Sequence, residues 1–292
     1  MDTDNSETKP TIYLKLPANR GAYWIRDAYL RFRHSMGIWF AISAFLMVIL
    51  SIPYINHLAA IAMPILLGGL MIGCSQSSSK EPIKFDHLFE GIKNDARELL
   101  VLSAIYAGLS VLIAIATYYF MLALGVDIKE MMAGIMPSQQ TAMSEQETLD
   151  WINGLVEQNI FINILLAMLI WLALMIPLLM AFWFAPALVV LQKLNAVSAL
   201  KISYSACKEN FIPFLIYGLV ALAYIFAFFI GCVILIAIIP PIGVLAFIAG
   251  YLAIFAITLI SIYSAYIEIF GEQDNENLSG DESNDSDSSM IA

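Results

Sequence analysis

Six stretches of this chain run for 17 to 31 residues without one Asp, Glu, Lys, Arg or His: Gly37–Ile55, Leu58–Cys74, Leu99–Gly125, Phe161–Leu191, Phe211–Ile236 and Ile242–Ile267. A bilayer core of about 30 Å takes roughly 20 apolar residues in a helix. In lipid the backbone must satisfy its own hydrogen bonds, which leaves helices as the way for such segments to cross. The predicted fold class is therefore all-α, a polytopic membrane protein with six transmembrane helices. The second segment is short. The fourth, at 1.5 Å per residue, would measure about 46 Å, and Pro177 and Pro186 predict kinks within it. Between the last two segments, "IPPIG" (Ile239–Gly243) turns the chain.

The rest of the composition agrees. Apolar residues make up 60% of the chain and charged residues 13%, against about 25% charge in a soluble domain. Too little polar material remains to cover a water-facing surface. The opening "MDTDNSETKP" lacks the basic region and cleavage site of a signal peptide, so the first span is expected to be an uncleaved anchor. The net charge of −10 belongs largely to one end, since eight of the 24 acids lie from Glu268 onward. "DNENLSGDESNDSDSSMIA" buries too little apolar area to offset its ordering entropy, and disorder is expected there. The expected organisation is a polar N-terminal arm over 1–20, a six-span membrane domain over 21–271 with an outer loop at 126–160, and an acidic tail over 272–292.

Orientation follows from the basic residues. With the N-terminus in the cytoplasm, thirteen of the fourteen Lys and Arg fall inside and only Lys129 falls outside. This obeys the positive-inside rule. Both termini are then cytoplasmic.

The chain also repeats a unit. "ARELLVLSAIYAGLS" (Ala96–Ser110) and "CKENFIPFLIYGLVA" (Cys207–Ala221) share a basic residue, a Glu and an Ile-Tyr pair at equal spacing. Each odd-numbered span follows a segment with helical periodicity: Ile25, Tyr29, Phe32 and Met36; then Phe85, Leu88, Phe89, Ile92 and Ala96; then Val197, Leu200, Tyr204, Cys207 and Phe211. Such spacing predicts amphipathic helices lying in the cytoplasmic interface, with Arg26 and Arg33 off the apolar face. The architecture expected is three hairpins, each led by an interfacial helix, and the shared Glu and Tyr read as a structural joint made twice. Asp127–Asn159 forms the outer connection, where Ser144-x-x-Glu147 has the form of a capping box and Leu149, Ile152, Leu155 and Val156 predict a short helix.

Motifs that carry chemistry are sparse. "GGLMIGCS" (Gly68–Ser75) has the spacing of a phosphate loop but places Cys74 where the lysine belongs. Gly69-x-x-x-Gly73 and Ala246-x-x-x-Gly250 read instead as close helix packing. His34, His57 and His87 lack ligand spacing. Cys74, Cys207 and Cys232 form neither a disulfide frame nor a metal site. Charged groups inside spans mark proton and ion paths, and these spans have none. The polar candidates within them are Thr117, Tyr118, Asn163, Tyr217, Tyr224, Thr258, Ser261 and Tyr263. Tyr and Ser in spans more often bond between helices than bind substrate. No catalytic, cofactor-binding or metal residue is nominated, and no cofactor or nucleic-acid partner is expected.

"GAYWIRDAYLRFRHSMGIWF", "MPILLGGLMIGC", "LFEGIK", "FAPALVVL", "SALKISYSACKENFIPFLIYGL" and "YSAYIEIFG" together resemble a family of uncharacterised bacterial inner-membrane proteins. The likeness runs from about Tyr13 to Gly271. Its strongest pieces are Ala199-Leu200-x-x-Ser203-x-x-Ala206-x-x-x-Asn210 and "YSAYIEIF". It implies a six-helix inner-membrane protein and carries over no catalytic residue. The leading expectation is a non-enzymatic protein that scaffolds, assembles or regulates a membrane partner, docking through the outer loop or the acidic tail. The alternative is a passive or facilitated pathway for a small apolar or amphipathic molecule. A lipid-modifying enzyme comes third.

Overall fold

The computed structural model describes residues 13–52, 55–77, 82–126 and 159–271, together with 146, 149, 153 and 154. Its elements are α1 (Arg20–His34), α2 (Met36–Ser51), α3 (Ile55–Gln76), a 3₁₀ turn (Phe85–Phe89), α4 (Glu90–Asn94) and α5 (Ala96–Ala123). After residues 127–158 come α6 (Ile160–Trp183), α7 (Ala185–Gln192), α8 (Ala196–Glu209), α9 (Phe211–Ile238) and α10 (Pro240–Phe270). No strand occurs among the described residues.

Among the described residues four helical stretches are long and apolar enough to cross a membrane: α5, α6 with α7, α9 and α10. The count is five if α1 and α2 form one span, but the two meet at an angle of 105°. In the most apolar part of each stretch, no more than 17% of the residues are buried inside the protein. So much bare apolar surface has only lipid to cover it, and the protein is membrane-embedded. The outer-loop capping box at Ser144 and the acidic tail lie outside the described residues; of the short helix expected from Leu149, Ile152, Leu155 and Val156, only Leu149 is described, and it is helical, as are Asn153 and Gly154.

The chain divides into two units. The first takes the described residues up to Ala104 and from Met180 onward. Within it α10 packs against α1, α2 and α9, while α3 packs against α7 and the Phe85–Asn94 segment. Trp24, Leu70, Leu99, Phe184, Ile260 and Phe270 are fully enclosed. Gly69 permits one close approach: a Cβ there would lie 2.5 Å from the carbonyl oxygens of both His87 and Leu88. The Gly69-x-x-x-Gly73 spacing thus does serve close packing, and its partner is the 3₁₀ turn.

The second unit is Ile105–Leu179. In it the Asn163 side chain donates to the Leu124 carbonyl at 2.8 Å, tying the start of α6 to the residue after α5. Gly125 adopts φ +77° at this end, where a left-handed residue closes the helix.

The expected kink of the fourth apolar segment is a break. Pro177 lies inside α6, whereas Pro186 sits in the first turn of α7 and the helix is interrupted at Phe184. Proline has no N–H to bond to the carbonyl four residues back, and its ring crowds that turn.

In the three amphipathic segments the structure shows which residues face protein. In α1 the buried stripe is Gly21, Trp24, Ala28 and Phe32, and Tyr29 and Met36 stay exposed. In α8 it is Ala196, Ala199, Ser203, Ala206 and Cys207, with Val197, Tyr204 and Phe211 exposed. In α8 the buried residues are small and let backbones approach, whereas α1 buries the rings of Trp24 and Phe32 beside Gly21 and Ala28. The middle segment is not one helix: the 3₁₀ turn and α4 share it, Leu88 is buried and Ile92 is exposed.

Candidate functional site

Helices α9 and α10 are joined at Ile239 and run antiparallel. Their pairing is fixed at one end by a hydrogen bond of 2.7 Å between the Tyr217 and Ser261 hydroxyls. Eleven residues further along α9, the Phe228 ring lies over Gly250 of α10, where an added Cβ would come within 2.1 Å of it. Between these two points lies a groove with a volume of about 540 Å³. Helix α1 closes one side. It reaches α9 closely because Gly21 sits on the Pro213 carbonyl, which a Cβ would overlap at 1.9 Å.

Four of the eight polar span residues meet here: Tyr217, Tyr224, Thr258 and Ser261 all line the groove. Two of them are partly spent on helix structure, since Thr258 donates to Ile254 and Ser261 to Thr258. From α1 come Ala22, Ile25, Arg26 and Tyr29. Arg26 is the one charged residue of the lining, and sequence periodicity alone set it aside as off the apolar face. The Ala246-x-x-x-Gly250 spacing pointed to close packing and gave no hint of the groove beside it.

The other four candidates lie elsewhere. Asn163 caps the end of α5 as described, and Thr117 donates to the Ile113 carbonyl within α5. The Tyr118 ring meets that of Tyr119, and the Tyr263 ring lies under the Arg31 guanidinium. A second, polar cavity of about 480 Å³ at the α1–α2 bend includes Asp27, Arg31, His34 and Ser77. His87 is nearly buried and its Nδ1 accepts from the Lys84 backbone. The His57 side chain lies outside the described residues. Among the described residues no group of His, Cys, Asp and Glu is placed to hold a metal ion.

Several polar side chains elsewhere in the first unit fasten backbone, and others pair with one another. Ser203 accepts from the Phe184 N–H at 3.0 Å and donates to the Met180 carbonyl at 2.8 Å. Asn210 accepts from the Leu16 N–H and donates to the Leu14 carbonyl, at 2.8 and 2.9 Å. Leu14 in turn donates to the Ile269 carbonyl at 2.8 Å, so residues 14–16 form a strap between α8 and the end of α10. Glu268 accepts from Trp24 at 2.9 Å and from Arg20. That hydrogen bond, more than the nearby charges, raises the Arg20 guanidinium pKa further.

The echoed Glu pair does two different jobs. Glu98 accepts from the Ala196 N–H at 2.8 Å at the start of α8, while the half-exposed Glu209 meets Lys15 at 3.9 Å. Beside Ser203, burial pushes the Cys207 thiol up to about 12.

The chain matches no protein-family profile, no curated protein and no solved structure.

Proposed function

We propose that this is a non-enzymatic integral protein of the bacterial inner membrane that scaffolds, assembles or regulates a membrane partner. It crosses six times as three hairpins, with both termini cytoplasmic. Helix α3 has 22 residues, about 33 Å of helix, with its apolar part over Ala62–Gln76. The 16 residues of α2 reach about 24 Å, so this span requires local thinning of the bilayer.

The observation that carries this reading is where the polar groups go. Ser203, Asn210, Glu98, Arg20 and Glu268 lock the strap, α1, α8 and the ends of α6 and α10 into one platform. A platform held by buried backbone contacts suits a protein that presents surfaces to a partner.

The test is native mass spectrometry of the full chain released gently from its own membrane. A stoichiometric protein partner, lost on deleting 272–292 or the 127–158 connection and retained in Asn163→Ala and Tyr224→Phe, supports the proposal. Loss in the point variants with retention in the deletions overturns it. The groove favours the second reading, a passive pathway for an amphipathic molecule; flux of a fluorescent lipid through proteoliposomes would measure it.

A further inference from the structure

The groove between α1, α9 and α10 has the dimensions of a chain-like ligand. Its α9 wall is Tyr217, Ala221, Tyr224, Ile225 and Phe228, four or fewer residues apart, and the facing wall runs along α10 from Ser261 to Gly250. Eleven residues of helix span about 16 Å. A volume of about 540 Å³ over that length gives a mean cross-section of about 34 Å². An extended hydrocarbon chain is far slimmer than an α-helix, which is about 10 Å across with its side chains, and lies along such a slot.

Charge decides what heads the chain. Along this apolar lining Arg26 alone is charged. It is exposed on α1, the interfacial helix, and among the described residues it makes no ion pair, whereas Arg20 of the same helix is held by Glu268. The phenols of Tyr29 and Tyr224 are also exposed at the lining. A cation at the interface above an apolar slot complements an anionic headgroup carried on an acyl chain. We infer that the groove is a binding site for one acidic phospholipid, with an acyl chain laid between α9 and α10 and its phosphate at Arg26. This rests on the groove but on neither reading of overall function, since a resident lipid needs no transport and no protein partner.

The experiment uses the full chain in nanodiscs holding equal amounts of phosphatidylglycerol and phosphatidylcholine, followed by native mass spectrometry of the released protein. The wild type should keep one phosphatidylglycerol in preference to phosphatidylcholine by roughly five-fold, because both phosphates can accept from Arg26 but only phosphatidylglycerol keeps a net negative charge, worth about 1 kcal/mol beside one cationic side chain. Arg26→Gln should retain either lipid without preference. Ala221→Phe, which fills the slot from α9, should retain neither. Ala253→Met fills it from α10 and serves if the first variant fails to fold. Equal retention of both lipids by wild type and filled variants would mean surface lipid only and overturn the inference. So would an unchanged preference in Arg26→Gln, or a second protein chain retained in place of lipid. Retention as expected with no lipid flux leaves this inference standing and removes the pathway reading.

Discussion

Ser203 of α8 stands in for the backbone hydrogen bond that Phe184 has lost. In an unbroken helix the Phe184 N–H would reach the Met180 carbonyl. The Ser203 hydroxyl sits between them, accepting from one at 3.0 Å and donating to the other at 2.8 Å. Ser203 and Phe184 are both fully buried, so water has no part in the exchange.

Ser203→Ala should therefore leave a buried donor and a buried acceptor open, at about 1–3 kcal/mol for each unsatisfied group. Thermal unfolding in detergent measures it. Pro186→Ala lets the helix close again and restores the direct bond, so the double variant should be more stable than the sum of the single effects. Additive losses would show that Ser203 stabilises by some other means.

Asn210 makes a prediction about accessibility. Its amide holds both Leu14 and Leu16, and Lys15 between them is exposed and accessible to trypsin only when the strap lifts. Asn210→Leu should accelerate cleavage after Lys15, by roughly ten-fold or more for a loss above about 1.4 kcal/mol. Limited proteolysis followed by N-terminal sequencing reads the site directly. An unchanged rate would place the strap's hold in the Leu14–Ile269 bond alone.

Sequence alone made the apolar segments legible because lipid leaves them one conformation. Ser203 and Asn210 entered only through the family resemblance and Glu268 by name only in the count of acids, so none of the three was nominated from the sequence as a polar candidate. Their partners were not legible, because Leu14, Leu16 and Phe184 are bonded through backbone groups that no side-chain pattern encodes. The protein-facing sides of the amphipathic helices were not legible for a related reason. Large residues dominate periodicity, but at Gly21, Ala28, Ala199 and Ala206 it is small size that admits a neighbouring helix. The groove needed three separate segments brought together, and Tyr217 and Ser261 lie 44 residues apart.

Cys207 gives a pH dependence with a definite sign. An ordinary thiol loses its proton near pH 8.5, whereas burial raises Cys207 to about 12. The contribution of the buried neutral thiol is fully present below about pH 8.5 and is lost as pH rises toward 12, because the unfolded state ionises first. Stability should fall over that window in the wild type and fall less in Cys207→Ala. Maleimide labelling of a Cys74→Ala, Cys232→Ala background at pH 8 should be slow until denaturant is added. Prompt labelling in the native protein would show that the thiol is reached by solvent.

Glu268 joins two side chains of α1 that ask different things of it. Trp24 needs only an acceptor, which Gln also offers, while Arg20 needs a negative charge. The Glu268 side chain is 15% exposed and that of Arg20 is 39% exposed, so the ion pair itself is partly screened. Glu268→Gln should thus cost about 1 kcal/mol or less. Glu268→Leu strands the Trp24 N–H as well and should cost about 1–3 kcal/mol more. The order of the two variants matters more than either value. Unfolding midpoints in low and high salt separate the contributions: the Gln variant should approach wild type at high salt, and the Leu variant should not. If both variants converge on wild type, charge alone joins α1 to α10, and the Trp24 hydrogen bond contributes nothing measurable.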